Sequence, residues 1–218
     1  MEKNWIIHTP GKTEEVEHLM QVLGVEYPIA NLLVQRGINT FEEAKMFFRP
    51  ELENLHDPFL MKDMGKAVER LQAAIDNGEK VMVYGDYDVD GTTSVAMMYT
   101  FLKKYIKKLS YYIPDRYTEG YGISIKSIDL AASDGVTLVI ALDCGIKAVE
   151  KIAYAKSLGI DFIICDHHTA GAAIPEAYAV LDPKRPDCSY PFKELSGCGV
   201  GFKLLQAFCM KNSYSFEP

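Results

Sequence analysis

Residues 81–91 read Val81-Met82-Val83-Tyr84-Gly85-Asp86-Tyr87-Asp88-Val89-Asp90-Gly91, a short apolar run followed by three aspartates set between two glycines. A similar layout returns at residues 136–145, which end in Asp143-Cys144-Gly145, and again at residues 161–168, which end in Asp166-His167-His168. Short apolar runs bounded by turn residues are typical of buried parallel strands. In open α/β sheets, ligands bind at the carboxyl ends of such strands. We therefore expect these acids and histidines to meet at one edge of a sheet.

Strand and helix patterns alternate from residue 79 onward, and alternation of this kind builds βαβ units. The predicted strands are at 80–84, 109–113, 136–142, 161–165 and 178–181. The predicted helices are at 92–106, 124–133, 146–157 and 199–210. The sequence therefore predicts an α/β fold, with a parallel β-sheet flanked by helices.

Residues 1–78 show helical spacing instead. Thr13, Thr40 and Asp63 are predicted N-caps, and Pro28 is suited to the first turn of another helix. We expect a helical N-terminal extension at 1–78 and an α/β domain at 79–218, with the domain truncated at its C-terminal end.

The composition argues against several classes of protein. The net charge of −7 does not suit a basic nucleic-acid-binding surface, unless bound metal or another domain offsets the acids. No apolar run reaches the roughly eighteen residues that cross a bilayer. Residues 1–5 lack the layout of a signal peptide, and the cysteines form no Cys-x-x-Cys pair. We expect a cytoplasmic protein with free thiols.

Asp86, Asp88 and Asp90 are spaced by two, so in an extended loop their side chains would face the same way. Carboxylates that converge in this manner need a cation between them. A solvated acidic turn is the alternative, but this cluster lies between an apolar strand and an apolar helix. An EF-hand loop would need a Glu at its twelfth position, where Met97 stands, and a helix before the loop.

Asp143 alone would suit an ordinary helix N-cap, but beside the other clusters we expect it to bridge metal ions. The adjacent rings of His167 and His168 cannot share one face of a strand. We expect one ring to bind metal and the other to donate to a phosphate oxygen. Oxygen-rich ligands with one imidazole suit Mn²⁺ or Mg²⁺ better than Zn²⁺. Two such ions about 3.5–4 Å apart form a clamp for phosphoester hydrolysis.

Two further features suit phosphate. Gly197, Gly199 and Gly201 would present backbone N–H groups at the start of a helix, although tight helix packing explains them nearly as well. Arg116, in the segment 113–122, would steer a phosphate.

Together these motifs resemble those of the DHH phosphoesterase superfamily, at residues 85–93, 143–145 and 166–168. The chain is similar in particular to the bacterial single-strand-specific DNA exonucleases of that superfamily. That similarity lies in Arg36-Gly37-Ile38, Phe47-Phe48-Arg49-Pro50, His56-Asp57-Pro58-Phe59, residues 113–122 and residues 196–201.

This resemblance implies a 5′→3′ exonuclease of DNA recombination and repair that releases 5′-mononucleotides from single-stranded DNA by two-metal hydrolysis with Mn²⁺ or Mg²⁺. It implies catalytic roles for Asp86 and His168, beside Arg116. A single-strand-binding protein and a helicase are implied as partners. The metal ligands that it implies are Asp88, Asp90, Asp143 and His167.

The family also supplies a further metal-binding Asp after the helix at 199–210, a DHH-associated domain and an oligonucleotide-binding domain. This chain ends before them, and Asp182 is not the equivalent ligand. We therefore expect an N-terminal fragment that is weak or inactive alone.

Two other functions remain open at this point. A DHH-type phosphodiesterase would act on short oligonucleotides or cyclic dinucleotides, but such relatives lack a leader like residues 1–78. A non-catalytic binding module would keep the fold and lose the metals, but the residues that would bind them are intact, namely Asp88, Asp90, Asp143 and His167.

Overall fold

The computed structural model describes residues 4–214, and the chain divides into two compact units, Met1–Leu55 and His56–Pro218. The first unit contains α1, α2, α3 and a short 3₁₀ helix, at Thr13–Leu23, Tyr27–Val34, Phe41–Phe48 and Leu52–Asn54. Apolar side chains of α1 and α2 form its core. Thr40 is the N-cap of α3, as predicted, and it forms a capping box with Glu43. The predicted N-cap at Thr13 is wrong, because Lys12 is the N-cap and Thr13 is the first residue of α1.

The second unit is built on a five-stranded, wholly parallel sheet with the strand order β2-β1-β3-β4-β5. Its strands are β1 Val81–Gly85, β2 Leu109–Tyr112, β3 Leu138–Leu142, β4 Asp161–Cys165 and β5 Ala179–Leu181. Its helices are α4 Met64–Asp76, α5 Val89–Leu102, α6 Ile125–Ser133, α7 Val149–Ser157 and α8 Gly197–Asn212, with a 3₁₀ turn at Pro58–Leu60. This architecture confirms the predicted α/β class.

Helices cover both faces of the sheet. Side chains alternate between the faces along each strand, so a strand that is apolar throughout needs cover on both sides. Val81 and Val83 pack on one face in a core shared with α4, α5 and α8. Met82 and Tyr84 pack on the opposite face, with α6 and α7. The candidate site lies at the carboxyl ends of the strands.

Asp63 precedes α4 but does not cap it with its side chain. Its backbone lies in the left-handed region, with φ of 65°, and its Oδ2 accepts a hydrogen bond of 2.9 Å from Nη1 of Arg185. The carboxylate thus anchors the loop after β5. Because α4 belongs to the second unit, the division at residue 55 differs from the boundary predicted at residue 78, and that domain boundary stays a prediction.

Across residues 4–214, every helix is too short or too polar to serve as a membrane span.

Candidate metal centre

Three neighbouring strands each end at a buried acid. The last paired residues of β1, β3 and β4 lie side by side in the sheet. The residues that follow them are Asp86, Asp143 and Asp166, which are at most 2% exposed. The ladder continues past β3, since the Asp143 N–H donates to the Cys165 carbonyl at 2.9 Å. The structure therefore brings these carboxyl groups into one row at the carboxyl edge of the sheet.

The turn after β1 runs directly into α5. Asp88 is the N-cap of α5, and its Oδ1 accepts a 2.9 Å hydrogen bond from the Gly91 N–H. Asp90 lies in the first turn of the helix. The predicted extended loop is wrong, because a helix start rather than β-like alternation sets the directions of these side chains. A Cβ atom on Gly91 would lie 2.6 Å from the carbonyl carbon of Asp86, so this tight turn requires glycine.

The N-terminus of α8 binds an anion that belongs to the chain itself. The N–H groups of Gly197 and Cys198 each donate a 2.7 Å hydrogen bond to one oxygen of the Asp90 carboxylate. Aligned N–H groups at a helix N-terminus favour negative charge at this position. The contact orients the Asp90 carboxylate, although α8 lies far from it in sequence.

Two of the three glycines of α8, Gly197 and Gly201, are required for close packing. A Cβ on Gly197 would lie 2.5 Å from Cβ of Asp143, and one on Gly201 would lie 2.9 Å from Leu142. The Gly199 N–H donates to Oγ of Ser196, the N-cap. These contacts favour the packing alternative considered for this motif. Phosphate binding by Gly197, Gly199 and Gly201 stays a prediction.

Asp143 adopts a backbone conformation that few residues tolerate, with φ of 59°. It is not the N-cap of α7, since that position is held by Ala148. Its buried Oδ1 makes no hydrogen bond, although it lies 3.1 Å from Nε2 of His167. Burial and the charges of Asp90 and Asp88 raise the pKa of Asp143 to about 8. A buried carboxylate that lacks a partner is costly, and a cation would satisfy it.

The two histidines do different work, as expected. Nε2 of His167 faces Asp143 and lies 3.8 Å from Oδ2 of Asp90. Nδ1 of His168 instead donates to Oδ1 of Asp166 at 2.7 Å. That hydrogen bond raises the pKa of His168 despite its partial burial, while the charge of Lys147 opposes the shift. The protonated imidazole of His168 is thus favoured beside a fixed carboxylate.

Asp166 organises this corner of the site. Its Oδ1 also accepts from the His167 N–H at 2.7 Å, and its Oδ2 accepts from the Ile146 N–H at 2.9 Å. Burial alone would favour the neutral acid, but the hydrogen bonds from His168 and from the Ile146 backbone hold the pKa of Asp166 below its ordinary value. Asp166 therefore remains ionised and fixes the position of the His168 ring.

The donor set fits hard divalent cations. Ligand atoms of Asp86, Asp88 and Asp143 lie within 4.8 Å of one another, and so do those of Asp143, His167 and His168. Oδ1 of Asp86, like Oδ1 of Asp143, is buried without a hydrogen-bond partner. Burial and the charge of Asp88 raise the pKa of Asp86. Asp143 belongs to both groups, as expected of a carboxylate that bridges two ions.

Arg116 lies at the margin of this cluster. Its side chain is exposed, and its guanidinium carbon stands 5.4 Å from the ring centroid of Tyr87, between Asp86 and Asp88 in sequence. No ion pair of the described residues includes Arg116, so its charge is available for an anion. Its predicted role toward phosphate stays a prediction.

Tyr121 is a site residue that sequence reasoning missed. Its hydroxyl lies 3.2 Å from Nε2 of His168 and 3.4 Å from the Asp143 carbonyl oxygen. The loop that carries it depends on Gly120 and Gly122, which both have positive φ. The flanking glycines indicated a turn but gave no indication of which strand end that turn would contact.

Comparisons with known proteins agree with the fold. A model described as the DHH family, N-terminal domain, matches residues 80–217. The chain is 43% identical over 203 residues to the single-stranded-DNA-specific exonuclease RecJ of Bacillus subtilis (strain 168), a match covering 93% of this chain and 26% of the relative. It is 38% identical over 180 residues to the Escherichia coli (strain K12) RecJ, covering 82% and 30%. The chain thus spans about a quarter of the length of the first relative.

Two solved structures share the fold. A crystal structure of exonuclease RecJ bound to manganese superposes with a TM-score of 0.65 at 29% identity, covering 71% of this chain and 39% of that one. The structure of RecJ from Thermus thermophilus in complex with Mn²⁺ has a TM-score of 0.73 at 25% identity, covering 94% and 28%.

Proposed function

Since the chain belongs to the DHH family, we propose that it forms the catalytic part of a single-stranded-DNA-specific 5′→3′ exonuclease of the RecJ type. Such an enzyme would hydrolyse phosphodiester bonds with Mn²⁺ or Mg²⁺ and release 5′-mononucleotides. The relatives named for this activity are much longer than this chain. We therefore propose that full activity needs further chain of the kind those relatives possess, including one more acidic metal ligand.

One observation carries the proposal. Nε2 of the His167 imidazole lies 3.1 Å from Oδ1 of Asp143 and 3.8 Å from Oδ2 of Asp90, and it forms no hydrogen bond with either carboxylate. Groups that converge in this way without satisfying one another are arranged for something placed between them. With Asp88, they would hold the metal ions. Bound divalent ions would stabilise charge on the attacked phosphate and activate water.

The remaining residues have roles that follow from their contacts. His168, held by Asp166, would donate a proton or a hydrogen bond to a phosphate oxygen. Asp86 would support the metal ligands from the floor of the site. The exposed guanidinium of Arg116 would bind a phosphate of the strand.

The test is an assay of the full-length polypeptide on a 5′-labelled single strand, the same strand in a duplex, and a dinucleotide. We expect Mn²⁺-dependent release of labelled mononucleotide from the single strand, and no release by the Asp143→Ala variant. Preference for the dinucleotide would instead favour the short-oligonucleotide phosphodiesterase. Activity of the Asp143→Ala variant would refute the proposed site.

A single-strand-binding protein and a helicase are the partners we propose, and the cytoplasm is the proposed location. Affinity capture with the full-length protein, with and without nuclease treatment, tests direct contact with each partner.

A further inference from the structure

A cavity of about 340 Å³ opens beside the metal centre. It is lined by Tyr121, Gly122, Ile123, and residues 145–151 apart from Ile146. Tyr121 is shared by the cavity and the site, because its hydroxyl contacts the His168 ring and the Asp143 carbonyl oxygen. Gly145 lies two residues after Asp143. The cavity thus adjoins the centre on the His168 side, with Tyr121 between them.

The charge in this cavity differs from that of the neighbouring centre. The centre is made of carboxylates, whereas the cavity presents Lys147 and Lys151 against the single acid Glu150. Lys151 is held by the Ile123 carbonyl oxygen, to which its ammonium group donates. Lys147 is exposed, and no ion pair or hydrogen bond of residues 4–214 includes its side chain. A free cation beside an acidic metal centre is suited to an anion that reaches across both.

Apolar surface completes the cavity. Tyr121 is 54% exposed and Val149 is 37% exposed, with Ala148 between Val149 and Lys147 in sequence. An aromatic ring of this kind offers a stacking face to any nucleobase. The floor is close-packed, because a Cβ on Gly145 would lie 3.2 Å from Ile164. The apolar surface of Tyr121 and Val149, which suits a flat ring, thus adjoins the ammonium group of Lys147, which suits a phosphate.

We propose that this cavity holds one nucleotide unit next to the scissile phosphate, with its phosphate at Lys147 and its base against Tyr121 and Val149. The inference rests on the proposed nuclease function and assigns Lys147 as a substrate-binding residue. The volume is within the range of small-ligand sites, about 300–1,000 Å³. The nucleotide is either part of the strand or the released product, and both present the same phosphate chemistry.

The experiment is an NMR titration of this chain with deoxycytidine monophosphate in the absence of divalent metal. Without metal, the carboxylates of the centre repel phosphate, so the cavity is observed separately. We expect shifts at the amides of Gly122, Gly145 and Lys151. Deoxycytidine, which lacks the phosphate, should need a roughly tenfold higher concentration. The dinucleotide pCpC distinguishes the sources: tighter binding than the monophosphate identifies a strand unit, and equal binding identifies the product.

Variants provide the control. Lys147→Ala should weaken binding of the monophosphate roughly tenfold, and Lys147→Arg should restore most of it. Lys156→Ala removes an exposed lysine of α7 that pairs with Glu176 outside the cavity, and should change nothing. Unchanged affinity in Lys147→Ala, absence of binding, or shifts confined to residues 86–90 would overturn the proposal. Since no hydrolysis is measured, that failure is distinct from failure of the nuclease assay.

Discussion

Nε2 of His167 lies 3.1 Å from Oδ1 of Asp143, although the two residues follow different strands, β4 and β3. The strands are hydrogen-bonded neighbours, so their register fixes this approach. The Asp143 oxygen is buried and makes no hydrogen bond. The sheet itself therefore fixes the position of a shared cation. Without that cation, the buried charge of Asp143 should lower the stability of the chain.

Replacing Asp143 by Asn should stabilise the metal-free chain while removing the response to metal. The substitution eliminates a buried negative charge among like charges, and Asn tolerates the positive φ. We expect a gain of roughly 1–3 kcal/mol at pH 8. Thermal unfolding with and without Mn²⁺ measures both effects, and Glu17→Gln, on the exposed side of α1, is the control. A lower Tm in the metal-free variant would contradict this prediction.

Metal affinity should increase with pH. Because the pKa of Asp143 is raised to about 8 in the metal-free chain, protons compete with the cation below that pH. The raised pKa of Asp143 also makes the stability of the metal-free chain depend on pH. Between the unfolded pKa of 3.8 and about 8, the folded state binds the extra proton, so metal-free stability falls as pH rises and then levels off. Calorimetric titration with Mn²⁺ at pH 6, 7 and 8.5 measures the pH dependence of the metal affinity. Equal affinity at all three pH values would refute the prediction.

Gly197→Ala and Gly199→Ala form a matched pair. The first places a Cβ atom 2.7 Å from Cα of Asp143, whereas the second places one no closer than 3.3 Å to any neighbour, at the Leu195 side chain. We expect Gly197→Ala to cost about 1–3 kcal/mol by overpacking and to weaken Mn²⁺ binding at least tenfold. Gly199→Ala should keep both properties, since its backbone N–H is unchanged. Similar metal affinity in the two variants would show that the approach of α8 to Asp143 is unimportant.

Asp166→Asn should misplace His168 without removing a metal ligand. The amide cannot accept all the hydrogen bonds that the two carboxylate oxygens receive from the histidine pair and from Ile146. The pKa of His168 should therefore fall towards its ordinary value, as measured by NMR titration of the imidazole protons. The proposed nuclease activity should fall while Mn²⁺ still raises the Tm. An unchanged His168 titration would contradict this role for Asp166.

Much of the fold was predictable because its signals are local. The apolar runs with their turn residues identified the strands, and Thr40 identified the start of α3. The cluster of acids at the carboxyl edge of the sheet was also predictable, since parallel strands place their carboxyl ends side by side. Local patterns do not encode which distant helix will pack against a turn. The contact of Asp90 with α8 and the insertion of Tyr121 beside His168 therefore appeared only in the structure.

Local rules also failed where tertiary contacts compete for a side chain. Asp63 precedes α4 as a good N-cap residue should, yet its carboxylate binds Arg185 instead of the helix. The carboxylates of Asp86 and Asp88 converge with that of Asp143 through a turn and a helix start rather than through extended spacing. The Asp90 carboxylate is held by the N-terminus of α8 instead.

The central claim is that the side chains of His167, Asp143 and the acids after β1 meet around divalent cations. Anomalous scattering from a manganese-soaked crystal of this chain tests that claim most directly. We predict a peak about 2–2.5 Å from both Nε2 of His167 and an Asp143 oxygen, with Asp88 or Asp90 in the same coordination sphere. A crystal soaked to saturation that shows no peak at these atoms, or shows peaks only at other acids, would contradict the account.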